Sequence, residues 1–405
     1  MKNIIMRSLI AVFVLASFYG FGQTMQKDME YLASDKLEGR EFGSKGEITA
    51  AKYLAKRFKK LGLEPKGTDG YYQVFSVKPK YNPHAKVQAD TSKALEGRNV
   101  IGFIDNKADY TVVIGAHFDH LGYGAQGSLS EEMAIHNGAD DNASGVTVML
   151  QLADLLKEKY TNNNYLFIAF SGEEKGLWGS NWFVKHPTVD LATINYMLNM
   201  DMVGRLDTEK KLAIYGTGTS PTWNTFLQKI ADSNGVKMIS KESGVGPSDH
   251  TSFYLEDEPV LHFFTGQHDD YHKPGDDADK INYEGMKIVQ KFVEDVIASA
   301  NDAGKLEFTK TKDEDSRKAP KYSVTLGVIP DYMFEGPGML LGGVKEDRPA
   351  KLAGMQKGDI IIKIDDLEIT DMMAYMKALG MYKKGDNSKV VIKRGEEELT
   401  VDVTW

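Results

Sequence analysis

The sequence predicts an α/β protein with a mostly parallel sheet, followed by a small β-rich unit. Three observations carry this. Apolar runs of strand length alternate with helical stretches from residue 99 to 300, and the strands end in polar loops. Residues 301–320 are charged and poor in apolar side chains, and read as a linker. Beyond it, short strands at 323–329, 339–344, 359–364, 389–393 and 399–403 accompany two helical turns, 349–353 and 372–379.

In chain order, residues 24–33 read as a short helix, with loop at 34–40 and 43–46. Residues 47–61 place Ile48, Ala51, Tyr53, Leu54, Phe58 and Leu61 at helical spacing, with Gly62 as the stop and Pro65 beyond. Strands at 71–77 and 99–104 feed a β-branched run, Thr111-Val112-Val113-Ile114. That run ends in Gly115-Ala116-His117-Phe118-Asp119, so an imidazole and a carboxylate sit past a strand's C-terminal end, where open α/β sheets bind ligands. Asp140-Asp141-Asn142 then precedes an apolar helix over 143–160. Strand 165–170 ends in Ser171-Gly172-Glu173-Glu174, a helix covers 179–185, and strand 196–200 ends at Asp201. A strand–helix pair (211–216, 223–233), a last apolar strand (260–264) and a closing helix (284–300) complete the pattern.

Length and composition bound the function. The 405 residues suffice for one large domain and one small one. At 41% hydrophobic and 26% charged the chain is an ordinary globular protein, neither disordered nor membrane-embedded. A net charge of −9 argues against a nucleic-acid partner, which needs clustered Lys and Arg. Residues 1–22 have a basic start (Lys2, Arg7), an apolar middle and small Gly20 and Gly22, the pattern of a secretory signal peptide and too short to span a bilayer. Export to a periplasm or beyond is therefore expected, with no transmembrane span. The absence of cysteine excludes disulfides, so the exported fold must rest on its core and any bound metals.

His117, Asp119, Asp141, Glu173, Glu174, Asp201 and His272 all lie at strand ends or in loops. Singly, each is an ordinary cap, turn or solvated residue. Together they supply imidazoles and carboxylates of the kind that hold zinc or a similar divalent ion. Their number accommodates two ions, with Asp141 as the bridge. Paired metals clamp both attacking and leaving oxygens, an arrangement that aminopeptidases are among the enzymes to use.

Six motifs stand in order: GAHFDH (115–120), GADDNASG (138–145), FSGEEKGLWGS (170–180), NMDMVG (199–204), GPSDHTSF (246–253) and YHKPGDD (271–277). Over residues 28–300 the chain resembles the M28 family of metallopeptidases, co-catalytic zinc aminopeptidases. The resemblance implies a three-layer α/β/α sandwich with a mixed, mostly parallel central sheet, and two Zn2+ per chain, other divalent ions being alternatives. It assigns His117, Asp141, Glu174, Asp201 and His272 as metal ligands. Glu174 completes one ion's shell with His117 or faces it across the pair; Asp201 and His272 complete the other. A cis peptide after Asp141 is common in the family. Asp119 would orient the His117 ring, and Glu173 would be the general base. Tyr271 would either donate to the oxyanion or serve packing. The family pattern puts Asp249 and His250 near the pocket, where they support the metal shell, shape the substrate site or are structural; His120 is a weaker candidate of the same group. Arg205 is read as structural, paired with an acid near Asp201. The remaining histidines match no ligand position.

Residues 321–405 resemble a PDZ domain, through Thr325-Leu326-Gly327-Val328, the run 344–350 and the passage 353–361. The resemblance implies binding of a peptide by strand addition and capture of its C-terminal carboxylate by backbone N–H groups, with Leu326, Gly327 and Val328 as the candidate loop. A packing domain without ligand is the alternative. The domains expected are thus a signal peptide (1–22), a peptidase domain (23–300), a linker (301–320) and a PDZ-like domain (321–405). The reading is an exported di-zinc aminopeptidase acting on peptides. Its rivals are a single-zinc acyltransferase like glutaminyl cyclases and an inactive peptide-binding scaffold.

Overall fold

The computed structural model describes residues 24–79, 92–311, 324–331, 334, 336–344 and 348–405. The signal-peptide reading and His84 lie outside these residues. Two compact units divide the chain at Thr311.

In the first unit four strands lie parallel: β4 (Thr111–His117), β5 (Asn164–Phe170), β6 (Ile194–Met200) and β9 (Val260–Phe264), in the order β5-β4-β6-β9. Antiparallel strands flank them. β3 (Leu95–Ile104) pairs with β5 and carries β1 (Glu64–Pro65) and β2 (Tyr72–Val77); β7 (Lys211–Tyr215) pairs with β9 and carries β8 (Lys237–Lys241) in parallel. Every residue of β4, β5 and β6 is buried, as a parallel sheet covered on both faces requires.

The two-residue period of a strand divides these side chains between two cores. Val112, Ile114, Ala116, Phe167 and Ala169 join one; Val113, Leu166, Ile168 and Phe170 join the other. The first core is closed by α1 (24–32), α2 (Lys45–Leu61), α3 (Gly145–Leu155), α5 (Leu227–Asn234) and α7 (Tyr283–Ala300). The second is closed by α4 (Trp178–Lys185) and α6 (His250–Tyr254). This is the three-layer α/β/α arrangement around a mixed, mostly parallel sheet. α2 begins two residues before the expected point because Ser44 Oγ caps Glu47 N–H (3.2 Å), and it ends as expected at Gly62, in left-handed geometry at φ 80°.

Three expectations need correction. The helix expected over 143–160 is α3 alone. Residues 139–144 ahead of it form a π-type turn because the Asp140 and Asp141 N–H groups donate to the Asp276 side chain (2.9 and 3.0 Å). A separate 3-10 turn covers Leu156–Glu158, and Tyr160 then reverses the chain at φ 57°. The helix expected over 223–233 is split at Phe226 into a 3-10 turn, Pro221–Thr225, and α5. Finally, the stretch read as linker begins too early. Leu306 is buried and its N–H donates to Asn195 Oδ1 (2.8 Å), Thr309 N–H donates to Thr219 O (2.8 Å), and Thr311 N–H donates to Tyr254 Oη (3.0 Å). Few apolar residues suffice there because the segment docks largely through its backbone.

The second unit is an antiparallel sheet ordered β10 (Val328–Pro330), β11 (Met339–Val344), β12 (Ile360–Ile364), β14 (Asn387–Arg394), β15 (Glu397–Thr404), with β13 (Leu367–Glu368) on β12. With α8 (Pro349–Leu352) and α9 (Met372–Leu379) it closes a core that includes Leu326, Leu341, Ile361, Ile392 and Val403. Among the described residues no helix is long and apolar enough to cross a membrane.

Candidate metal centre

Because β4, β5 and β6 are parallel neighbours, the residues just past their C-terminal ends share one rim. His117 closes β4, Glu173 and Glu174 follow β5, and Asp201 follows β6. Backbone donors fix these turns: Phe118 N–H to Phe170 O (2.9 Å), Asp201 N–H to Phe263 O (3.2 Å), and Glu173 N–H to Asp119 Oδ1 (3.1 Å). Asp141 enters from the π-type turn, where the Asp141–Asn142 peptide is cis; His272 enters from the loop after β9.

The structure brings all five expected ligands together. His117 Nε2 lies 3.3 Å from Asp141 Oδ1 and 3.3 Å from Asp201 Oδ1. His272 Nε2 lies 3.1 Å from Asp141 Oδ2 and 3.4 Å from Glu174 Oε2. The two oxygens of Asp141 therefore face two separate half-sites. The resemblance set Asp201 with His272; in the structure Asp201 lies beside His117. Asp201 belongs with His117 because β4 and β6 are adjacent, while Glu174, on the other side of β4, meets His272.

A ring nitrogen carries one proton or one lone pair, yet each of these faces two carboxylate oxygens. Such convergence, with mixed N and O donors, fits a divalent cation in each half-site. Among the described residues, His117, Asp141 and Asp201 form one set with ligand atoms within 4.8 Å, and His120, Asp141 and Glu174 form another.

The electrostatics agree with that fit. Burial would raise the Asp141 carboxyl, but His117, His120 and His272 hold it well below the usual carboxylate range. Burial works against a charged His272 too, yet Glu174 and Asp141 push the ring up to about 9. Glu173 behaves oppositely: burial, reinforced by Glu174, Asp201 and Asp249, drives its carboxyl well above the usual range. Its Oε2 stands 4.0 Å from His117 Nε2, beside the half-site it does not complete.

Other expected residues are placed as follows. The backbone oxygen of Asp119 is nearer His117 Nδ1 (3.2 Å) than its carboxylate is (3.7 Å), which instead holds the Glu173 backbone. Tyr271 stacks on His272 at 3.9 Å. Asp249 is buried, which pushes its carboxyl up to about 7. His250 stacks on His262 at 4.5 Å, with both ring nitrogens unpartnered among the described residues. Arg205 pairs with Asp276 (3.2 Å) and Asp270 (3.3 Å), acids of the His272 loop. In the second unit Leu326 is a core residue, Gly327 N–H donates to Thr325 Oγ1 (3.0 Å), and Val328 opens the edge strand β10.

Two contributors were not foreseen. Arg40, fully buried, donates to Phe118 O (2.7 Å), Asn137 O (2.6 Å) and Gly138 O (3.0 Å), tying the His117 loop to the Asp141 loop. Asp276 receives the Asp140 and Asp141 N–H groups through one oxygen. The second lay within YHKPGDD; nothing in sequence distinguishes Arg40 from a surface arginine.

Comparison with known proteins follows the same division. Residues 99–297 match peptidase family M28, and residues 307–404 match the PDZ domain. A probable leucine aminopeptidase of Arthroderma otae is 25% identical over 296 residues, covering 69% of this chain and 73% of that one. The chain spans 59% of two further fungal relatives of the same description. Among solved structures, a zinc aminopeptidase of Bacillus subtilis aligns with TM-score 0.55 and 18% identity, over 71% of this chain and 95% of that one. A glutaminyl cyclase of Bacteroides thetaiotaomicron aligns with TM-score 0.54 and 19% identity, over 68% and 97%.

Proposed function

The chain is an enzyme of peptidase family M28 by residues 99–297, with a PDZ domain over residues 307–404, and from that premise we propose that it is an exported di-zinc aminopeptidase. One observation carries the reading: Asp141 turns one oxygen to His117 and the other to His272, 3.3 and 3.1 Å away, as a residue shared by two cations does. His117 and Asp201 would hold one ion, Glu174 and His272 the other. When bound, the ions supply Lewis acidity, lowering the pKa of water toward neutrality and drawing charge from the substrate carbonyl.

The protein's own part is proton traffic and positioning. Glu173, its carboxyl raised by burial, accepts a proton from water as the water oxygen bonds to the carbonyl carbon. It then returns that proton to the leaving nitrogen as the C–N bond breaks. Asp119 keeps Glu173 in place through the 3.1 Å bond to its backbone N–H. The carboxylates of Glu173 and Asp201 are the candidates to hold the free α-amine of a peptide. At the PDZ domain, the edge strand β10 offers backbone groups for a C-terminal peptide segment.

Hydrolysis of aminoacyl-chromophore substrates by the zinc-loaded chain tests this. Wild type should turn over, and Glu173→Gln should lose roughly 10²–10⁴-fold in kcat with its metal content unchanged. No turnover by wild type would leave the peptide-binding scaffold. One ion per chain without that hydrolysis would favour the single-zinc acyltransferase, a fold-mate by the cyclase likeness.

A further inference from the structure

His120 is an imidazole that the five-ligand reading leaves without work. It is fully buried, and its ring stands edge-on to His272 at 5.8 Å. Its backbone N–H donates to Arg40 O (3.3 Å), and its ring lies against Gly138, where an added Cβ would come within 2.5 Å of it. The ring is thus seated from two sides. Its Nδ1 lies 2.8 Å from Glu174 Oε1 and 3.9 Å from Asp141 Oδ1. Its Nε2 is buried with no hydrogen-bond partner among the described residues.

Those two nitrogens fix the ring's hydrogen. A buried N–H without an acceptor is costly, so Nε2 is the poor place for it. Were Nδ1 bare, a lone pair would face a carboxylate oxygen at 2.8 Å. The hydrogen therefore sits on Nδ1 and is donated to Glu174.

We propose that His120 is a positioning residue for Glu174: its Nδ1–H occupies Oε1 and leaves Oε2, 3.4 Å from His272 Nε2, as the oxygen offered to a cation. This rests on the two-cation reading above. It makes the half-sites unequal, since His120 is 2.8 Å from Glu174 but 3.9 Å from Asp141 Oδ1, its nearest approach to the His117 half among the contacts described. Removing a hydrogen-bond partner of this kind costs about 10–100-fold in metal affinity. The loss should fall on one ion only.

The test is a zinc titration of the full chain, stripped and refilled against a chromophoric chelator, giving ion count and both Kd values. Wild type should bind two ions. His120→Ala should weaken one Kd by about 10–100-fold and leave the other within about threefold. His120→Asn, whose amide N–H reaches the place of Nδ1, should restore the wild-type value. If the alanine chain does not fold by circular dichroism, His120→Leu fills the space without a donor and takes its place. Unchanged affinities in the donorless variant would overturn the proposal. So would an asparagine variant as weak as alanine, which would make His120 a ligand itself. A wild type binding one ion or none would overturn the two-cation reading as well, a result distinct from either.

Discussion

Asp141 and Glu258 are both buried carboxyls, yet their surroundings push them in opposite directions. Asp141 faces three imidazoles, which overcome burial and hold it ionised. Among the described residues Lys305 opposes the burial of Glu258 and Asp257 adds to it, so its carboxyl rises from the ordinary 4.5 to about 7. A folded-state pKa above the unfolded one means the folded chain holds the proton longer. That stability is fully present below about pH 4.5 and is lost as pH rises through about 7. At ~1.4 kcal/mol per pH unit the loss over this span is on the order of 3–4 kcal/mol at most. Glu258→Gln cannot ionise, so thermal melts should show it more stable than wild type at pH 8, with the gap closing toward pH 5. An equal gap at both pH values would refute this.

At the scale of elements, the site depends on how closely α3 meets β6. Gly145, the first residue of α3, accepts no side chain without collision: a Cβ would lie 2.3 Å from Met200 O and 2.5 Å from Asn142 Oδ1. Both neighbours adjoin ligands, Asp201 and Asp141. Gly145→Ala should cost about 1–3 kcal/mol from overpacking, seen as a Tm several degrees lower, and should weaken zinc retention at the same time. A variant with unchanged Tm would show that the α3–β6 contact is more yielding than its distances imply. The same region shows what sequence discloses and what it does not. The runs at Thr111–Ile114 and Val260–Phe264 were legible because apolar β-branched and aromatic residues end abruptly at polar ones. His117, Glu173, Glu174 and Asp201 were legible as candidates because each closes or follows such a strand, whereas Asp141, in the turn before α3, and His272, in the loop past β9, were picked out through the motif resemblance. Which imidazole meets which carboxylate was not, since strand order across the sheet is set by pairings far apart in sequence. The late start of α3 was hidden too, because the acceptor that draws off the Asp140 and Asp141 N–H groups is Asp276, some 135 residues away. β8 and β1 were missed because they are short, with one buried position in β8 and none in β1, and so little apolar pattern to read.

For the molecule as a whole, the boundary between units lies at Thr311, after a segment that looks like linker but docks on the peptidase unit. Truncation after Thr311 should leave a folded unit with near wild-type kcat/KM on a small aminoacyl substrate. Truncation after Ala300 strips Leu306 from the core and leaves the Asn195 and Tyr254 side chains without their backbone partners. It should lower Tm markedly or prevent folding, because unpaired buried polar groups cost about 1–3 kcal/mol each. Equal melting of the two truncations would place the boundary earlier. Everything functional returns to the shared aspartate, so crystals of the zinc-loaded chain, measured at the zinc absorption edge, test the account most directly. Two anomalous peaks about 3.5–4 Å apart are expected, one against His117 and Asp201, the other against Glu174 and His272, with Asp141 between them. A single peak, or zinc bound away from Asp141, would contradict it.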